Sequence, residues 1–251
     1  MKKDFSSAAW SSSPGLKLIP DINPGTDTAA FVQLDPGIAN LINLRQITTP
    51  FRTQPLDHIN NRILKRSVDL VLSGVIIIAL LSWLIPIIAL IIKLTSRGPV
   101  FFLQKRNKRN GELFTCIKFR SMIVNEDADI LPAEKDDARI TRFGKFLRNH
   151  YLDELPQFFN VLWGDMSVIG PRPHMVSDNI NYDGLVKNYA YRHKVKPGIT
   201  GLAQVLGFVG PVDDQQKLEV RVNIDIFYVR HWSPKLDSVI FYRTIRKLVN
   251  G

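Results

Sequence analysis

From Leu70 to Ile92 the chain carries no charged residue, and Val, Ile, Leu and Ala dominate. No other stretch restricts the fold as severely. A helix rises ~1.5 Å per residue, so a run of this length reaches across a bilayer core of roughly 30 Å. A helix buried in a soluble core is the alternative, and so long a charge-free stretch argues against it. Arg62, Lys65 and Arg66 precede the run, and Lys93, Arg97, Lys105, Arg106, Lys108 and Arg109 follow it. Basic flanks favour the cytoplasmic side, so both ends belong on one side and a single straight span cannot satisfy them. Pro86 removes a backbone bond and bends the helix. A re-entrant helix that enters and leaves by the cytoplasmic face meets both demands. Prolines also occur in ordinary spanning helices, so on this argument alone both topologies stay open.

The formal charge of +10 over 251 residues points to an anionic partner, whether nucleic acid, anionic lipid or a phosphorylated substrate. The length suits one domain with appendages. The single cysteine, Cys116, excludes an intramolecular disulfide and a Cys-based zinc site, and reads as a small buried apolar residue. The first sixty or so residues read as a flexible tail. Pro14, Pro20, Pro24, Pro36, Pro50 and Pro55 break any long period, and no apolar run follows Lys2 and Lys3 to make a signal peptide.

Chemistry concentrates between Arg148 and Pro173. Asp153 and Glu154 stand together just before Pro156, a residue tolerated in a first helical turn, so the pair is expected near a helix N-terminus. Neighbouring carboxylates repel, and a divalent cation or an arginine lets both stay ionised. Downstream, Gly170-Pro171-Arg172-Pro173 places Arg172 on a stiff turn, where a fixed guanidinium suits bidentate phosphate binding. Taken alone, an acidic pair at a helix start is more often a capping or solvated feature.

Around this string the expected elements are short. Asn110-Gly111 signals a hairpin turn, with Glu112 to Phe119 as the second strand. An acidic helix is expected from Ile123 to Pro132, carrying Glu126, Asp127 and Asp129. Ile140, Phe143, Phe146 and Leu147 recur at helical spacing among Arg139, Arg142, Lys145 and Arg148, a pattern shared by helices on membrane surfaces and helices packed on a core. Leu155 to Trp163 is a second helix rich in large apolar residues. Pro197, Gly198 and Gly201 imply tight turns that bring backbone N–H groups near a ligand. Ser233-Pro234 starts a last helix. The histidines show no metal-ligand spacing.

The Arg148–Pro173 string, Lys118-Phe119-Arg120-Ser121-Met122, the block from Tyr191 to Val205, and Asp225 to Val229 with Trp232 to Asp237 appear in an order that resembles the bacterial sugar transferases, the monotopic phosphoglycosyl transferases. The resemblance runs from about residue 62 to the C-terminus. It implies transfer of a phosphosugar from a UDP-sugar to undecaprenyl (polyprenyl) phosphate with release of UMP, a first step of exopolysaccharide or capsule assembly. It assigns Asp153 as the nucleophile, Glu154 as the ligand of Mg²⁺, and Arg172, Arg148 and Lys118 as phosphate-binding groups. It also implies a re-entrant helix broken at Pro86. The family often places serine before that proline, whereas here Ile85 precedes it and Ser82 lies one turn back. The larger family members carry extra transmembrane helices before the shared domain, and this chain resembles the compact form with an added tail.

The expected fold is α+β and mostly helical: a tail at 1–60, a re-entrant membrane helix at 61–94, and a cytoplasmic catalytic domain at 95–251 with interfacial amphipathic helices and a small β-hairpin. The implied partners are the UDP-sugar, the polyprenyl phosphate and membrane lipids, at the cytoplasmic face of a bacterial inner membrane, without nucleic acid. Galactose, glucose or an N-acetylated sugar all fit the donor. A glycosyltransferase that releases UDP, and a membrane-anchored scaffold without catalysis, are the competing readings.

Overall fold

A 37-residue helix, Ile59–Thr95, carries the apolar run and is long and apolar enough to cross a membrane. In the computed structural model it has three parts: α1 (Ile59–Ile76), a π-helical turn (Ile77–Leu81) and α2 (Ser82–Thr95). Pro86 lies inside α2, and the irregular turn sits just upstream. A proline lacks the N–H that would bond the carbonyl four residues back, and its ring crowds that carbonyl, so the turn before it widens. Side chains stitch that region together. Ser82 Oγ donates to Ile78 O at 2.7 Å, and Trp83 Nε1 donates to Ala79 O at 2.9 Å.

The structure describes residues 54–125, 137–210 and 215–250, which belong to one unit beginning at Gln54. The tail through Thr53 and the acidic segment 126–136 lie outside the described residues. Both ends of the long helix seat on this one unit. At the start, Lys65 pairs with Asp237 at 2.8 Å, Arg66 donates to Val161 O and Leu162 O, and Asp69 accepts from Ser167 Oγ and Val168 N, both at 2.9 Å. At the end, Ile88 and Ile92 pack with Phe119 and Leu147, with Phe143 and Leu152 at the margin. Between these supports Val71, Val75, Ile78 and Trp83 are exposed, while Ser73 and Leu81 are buried.

Past the helix, β1 (Phe101–Asn107) and β2 (Leu113–Phe119) form the expected hairpin, in register from Phe101 opposite Phe119 to Asn107 opposite Leu113. Asn110 takes φ of 61° in the turn, a left-handed conformation asparagine tolerates. Cys116 is buried, as its apolar neighbours imply. Short helices α3 (Arg142–Asn149) and α4 (Gln157–Trp163) follow. A parallel pair not expected from the sequence, β3 (Ser167–Ile169) beside β4 (Gly198–Thr200), lies beyond them, with α5 (Val176–Asp183) in the connection. Then come the single turn α6 (Leu202–Val205) and the long helices α7 (Gln215–His231) and α8 (Pro234–Asn250). Leu218, Val222 and Ile226 of α7 form a second core with Val186 and Tyr189.

Two close approaches set the frame. A Cβ on Gly144 would stand 1.8 Å from Ser121 O, so only glycine lets α3 lie against the end of β2. On β4, a Cβ on Gly198 would meet Gly170 N at 2.1 Å. The glycines expected to present N–H groups to a ligand therefore press β4 against the Gly170 turn instead, and Gly198 N–H donates to Pro171 O at 2.9 Å.

Candidate active site

The acidic pair stands on a 3₁₀ turn, Leu152–Glu154, between α3 and α4. Thr141 caps α3, its Oγ1 accepting from Gly144 N at 2.9 Å. The chain then reverses at Tyr151, with φ of 56°. That conformation is unfavourable for a tyrosine and turns the next residues back over the domain. Pro156 occupies the position just before α4, one step outside the helix, so the carboxylates precede the helix rather than starting it.

Asp153 is 9 % exposed, and no hydrogen bond to its carboxylate forms among the described residues. Burial, then the charge of Glu154, hold its carboxyl above the usual carboxylate range, against the weaker pull of Lys118, Arg148 and Arg172. Its neighbour is the opposite. Arg172 grips Glu154 through both guanidinium nitrogens, with Nη1 on Oε2 at 2.9 Å and Nη2 on Oε1, and Lys118 Nζ donates to Oε1 at 3.2 Å. Burial opposes ionisation there, but the two cations hold the Glu154 carboxyl far below its usual value, and the Glu154 charge in turn raises that of Arg172. Two adjacent carboxylates are thus driven apart: one locked as an anion by cations, the other buried and unpaired.

The structure brings Asp153, Glu154, Lys118, Arg148 and Arg172 into one electrostatic cluster. Pro86 belongs to the long helix and not to the cluster. Each residue of the Lys118–Ser121 stretch has a distinct task. Lys118 meets Glu154, Phe119 enters the core, Arg120 donates to the carbonyls of Ser96 and Arg97 where α2 ends, and Ser121 O receives Thr141 N. Asn160 of α4 completes the free edge of β2, accepting from Ile117 N at 3.0 Å and donating to Thr115 O at 2.8 Å. Asp165 pairs with Lys108 at 2.9 Å and so ties the hairpin turn to the α4–β3 connection.

Arg192, in the block from Tyr191 to Val205, is committed to other side chains and main chain. It is 2 % exposed, donates twice to Asp225 Oδ2 at 3.0 and 2.7 Å, and donates to Arg172 O at 2.6 Å. It fixes the main chain from which the Arg172 guanidinium reaches Glu154. Burial and then Arg192 push His193 down to about 4. The role of Asp225 escaped the sequence reading, although an acid among Val222, Ile226 and Val229 on an apolar helical face was the available signal. Asp69, one residue before the charge-free run, is a similar case.

No group of three or more His, Cys, Asp or Glu side chains able to hold a metal occurs among the described residues. Magnesium sites built on one or two carboxylates plus substrate phosphates need no such group. Here Asp153 is unpaired and Glu154 Oε2 accepts a single bond.

Comparison with known proteins places the site in context. A UDP-glucose:undecaprenyl-phosphate glucose-1-phosphate transferase of Klebsiella pneumoniae is 49% identical over 199 residues, 79% of this chain and 42% of that protein. A UDP-N-acetylgalactosamine-undecaprenyl-phosphate N-acetylgalactosaminephosphotransferase of Aeromonas hydrophila is 44% identical over 190 residues, 75% of this chain and 44% of that protein. The exopolysaccharide production protein PSS of Rhizobium leguminosarum is 40% identical over 195 residues, 75% of this chain and 97% of that protein. The chain thus spans less than half the length of the first two and nearly all of the third. The bacterial sugar transferase family model matches residues 60–251, which takes in the long helix, the acidic pair and the Arg172 turn, and the chain belongs to that family.

Proposed function

We propose that this protein transfers a phosphosugar from a UDP-sugar to undecaprenyl phosphate and releases UMP, as the first step of exopolysaccharide or related glycan assembly. The observation that carries the reading is the asymmetry of the acidic pair: an unpaired buried carboxylate, Asp153, beside a carboxylate clamped by Arg172 and Lys118. An oxygen of Asp153 attacks the sugar-bearing β-phosphorus. The bond from that phosphorus to the bridging oxygen breaks, and UMP leaves with the electron pair. The phosphate of the polyprenyl acceptor then attacks the same phosphorus and returns the Asp153 carboxylate. Splitting one transfer into two displacements is the general advantage of a covalent intermediate.

Both partners of the first displacement are anionic, so charge neutralisation is the main requirement. Arg172, Lys118 and Arg148 surround the carboxylates and supply it. Glu154 Oε2, which accepts a single hydrogen bond, would be the protein's ligand for a Mg²⁺ ion bound with the diphosphate. When bound, such an ion withdraws charge from the phosphate oxygens.

The membrane placement follows the same logic. Both ends of the apolar helix rest on one unit while Val71, Val75, Ile78 and Trp83 between them are exposed, which supports a re-entrant helix over a straight span. Basic residues at both ends favour the cytoplasmic face of the inner membrane. Trp163, 65 % exposed, with Leu162 and Phe146, supports an interfacial position for α3 and α4.

The test is nucleotide release by the full chain in lipid nanodiscs with Mg²⁺ and undecaprenyl phosphate. The panel is UDP-glucose, UDP-galactose and the UDP-N-acetylhexosamines, sugars that include those named for the relatives. UMP from one donor, absent in Asp153→Asn and after chelation, is the expected result. UDP as the product would overturn the phosphosugar step, and no nucleotide from any donor would favour a scaffold.

A further inference from the structure

The turn that carries Arg172 is held at successive main-chain groups. Pro171 and Pro173 flank the arginine, and a proline ring locks φ at about −65°. Gly170 N–H donates to Thr200 O and Gly198 N–H to Pro171 O, both at 2.9 Å. Arg192 Nη2 donates to Arg172 O at 2.6 Å, and the next carbonyl, that of Pro173, accepts from Arg106 Nη1 at 3.1 Å. The two arginines reach the turn from different elements, Arg192 from the 3₁₀ turn Tyr189–Lys194 and Arg106 from β1.

Arg106 is not placed as a stabilising residue would be. It is partly buried, and among the described residues its side chain meets no carboxylate. Its remaining bonds, from Nε at 3.0 Å and from Nη2, both go to Gln104 Oε1 on the same strand. Among the described residues, Pro173 O is the partner it has from a distant part of the chain. Burial disfavours its cationic form, and the Arg172 charge adds to that. A buried cation served by neutral groups contributes little to stability, and an apolar side chain is often tolerated in its place.

The strand that bears Arg106 shows what is gained. Arg106 also pairs main chain to main chain with Met175, and Asn179 Nδ2 donates to Asn107 Oδ1 at 2.7 Å. β1 therefore grips the chain on the downstream side of the turn. Its hairpin partner β2 carries Lys118, opposite Phe102. Lys118 and Arg172 are the two cations on Glu154, and the hairpin sets the position of both. Charge that is placed in advance needs no reorganisation when an anionic substrate arrives.

We propose that Arg106 is a positioning residue for the transfer: through Pro173 O it fastens the Arg172 turn to the hairpin that carries Lys118. The assignment rests on the phosphosugar-transfer reading for the step that gains from it. Arg106 differs from Arg192, which holds the same turn but is also half of a buried ion pair with Asp225. Removing Arg106 thus separates the placement of Arg172 from the stability of the fold.

The experiment compares wild type, Arg106→Met, Arg172→Met and the double variant, each as the full chain in nanodiscs. It reads UMP release, Tm, and deuterium uptake by the peptide covering residues 168–174. Arg106→Met is expected to lower kcat roughly ten- to hundredfold while KM for the UDP-sugar changes less than about threefold. Its Tm stays close to that of wild type, and the peptide exchanges faster. In the Arg172→Met background the same substitution lowers kcat less than about threefold, because the turn no longer carries the guanidinium it positions. Arg106→Lys, which keeps the charge and one donor, recovers part of the lost kcat. An unchanged kcat or unchanged uptake in Arg106→Met would overturn the assignment, as would an equal loss with and without the Arg172 side chain. A kcat loss accompanied by a large fall in Tm would make Arg106 a structural residue instead. A wild-type protein that releases no UMP from any donor would refute the phosphotransfer reading, and faster exchange in Arg106→Met would then leave the fastening of the turn standing.

Discussion

Replacing the proposed nucleophile with its uncharged isostere, Asp153→Asn, is expected to abolish turnover and stabilise the fold. Asp153 sits buried beside a permanently ionised Glu154, and no hydrogen bond to it forms among the described residues. Its folded carboxyl is held above the ordinary value, so ionising it costs the folded state more than the unfolded chain. In the unfolded chain an aspartate titrates near 3.9, as a reference carboxylate does. The penalty is therefore absent below about pH 4, grows as pH rises from the unfolded value toward the elevated folded one, and is complete above it. Asparagine carries no such penalty at any pH. Substitutions that relieve a strained active site commonly add about 1–2 kcal/mol. In a domain of this size that raises Tm by roughly 2–8 °C. Asparagine loses the attraction of Lys118, Arg148 and Arg172, but these are smaller effects than burial and the Glu154 charge. Melting temperatures of wild type and variant, measured from pH 4 to 8 in nanodiscs, test the sign and the trend together. The gap is widest at neutral pH and closes in acid. Glu154→Gln behaves oppositely: the folded carboxyl of Glu154 is depressed, so its stabilisation is complete above the unfolded value of about 4.3 and is lost below it. An Asp153→Asn protein that melts at or below the wild-type temperature at pH 7.5 would refute the claim that this carboxylate is held at a cost.

Three further outcomes follow from the same frame. Arg172→Lys keeps the charge but loses the two-point grip on Glu154, and kcat for UMP release is expected to fall about 10²–10³-fold with KM changed less. Gly144→Ala forces a Cβ to within 1.8 Å of Ser121 O and should cost about 3 kcal/mol, read as a lowered Tm. Arg192→Met strands the Asp225 charge and should cost about 3–5 kcal/mol. Adding Asp225→Leu recovers much of that stability, yet kcat stays low because Arg172 O has lost its donor, an outcome a purely structural pair would not give.

The parts of this fold that the sequence announced are those with a local cause. The apolar run, the Asn110-Gly111 turn and the Asp153–Glu154 pair all follow from neighbouring residues, and all appear where expected. Contacts between distant segments were not legible in the same way. The pairing of β3 with β4 joins two three-residue strands about thirty positions apart, too short for either to show an alternating pattern. The glycines of the Pro197–Gly201 segment were read as ligand-facing turns because a glycine signals backbone proximity without naming the partner, which here is Gly170. Pro86 marked the distorted region, but the side chains that bond carbonyls within it, Ser82 to Ile78 O and Trp83 to Ala79 O, lie a turn before the proline and carry no local signal of that role.

The long helix is more than an anchor, because the site residues are braced by it. Lys118 precedes Phe119, Arg148 follows Leu147, and Asp153 follows Leu152, and those three apolar neighbours pack with or beside Ile88 and Ile92. On the other arm, Asp69 holds Ser167 and Val168 of β3, the strand that leads into the Arg172 turn, and Arg66 holds the last carbonyls of α4. One helix thus grips both halves of the cluster, the acidic turn through its second arm and the arginine turn through its first. A lipid-borne phosphate is confined to the headgroup layer by its own tail, so under the proposed placement the acceptor arrives at a fixed height. A catalytic domain on a loose tether would sample many heights and lose the benefit of that confinement. On the same proposal, bracing Asp153 on the long helix converts the encounter into one with a prepaid orientation, the form in which proximity contributes most to rate. The same bracing means that the apolar helix cannot be removed to make a soluble enzyme without releasing Phe119, Leu147 and β3, and with them the geometry of the acidic pair.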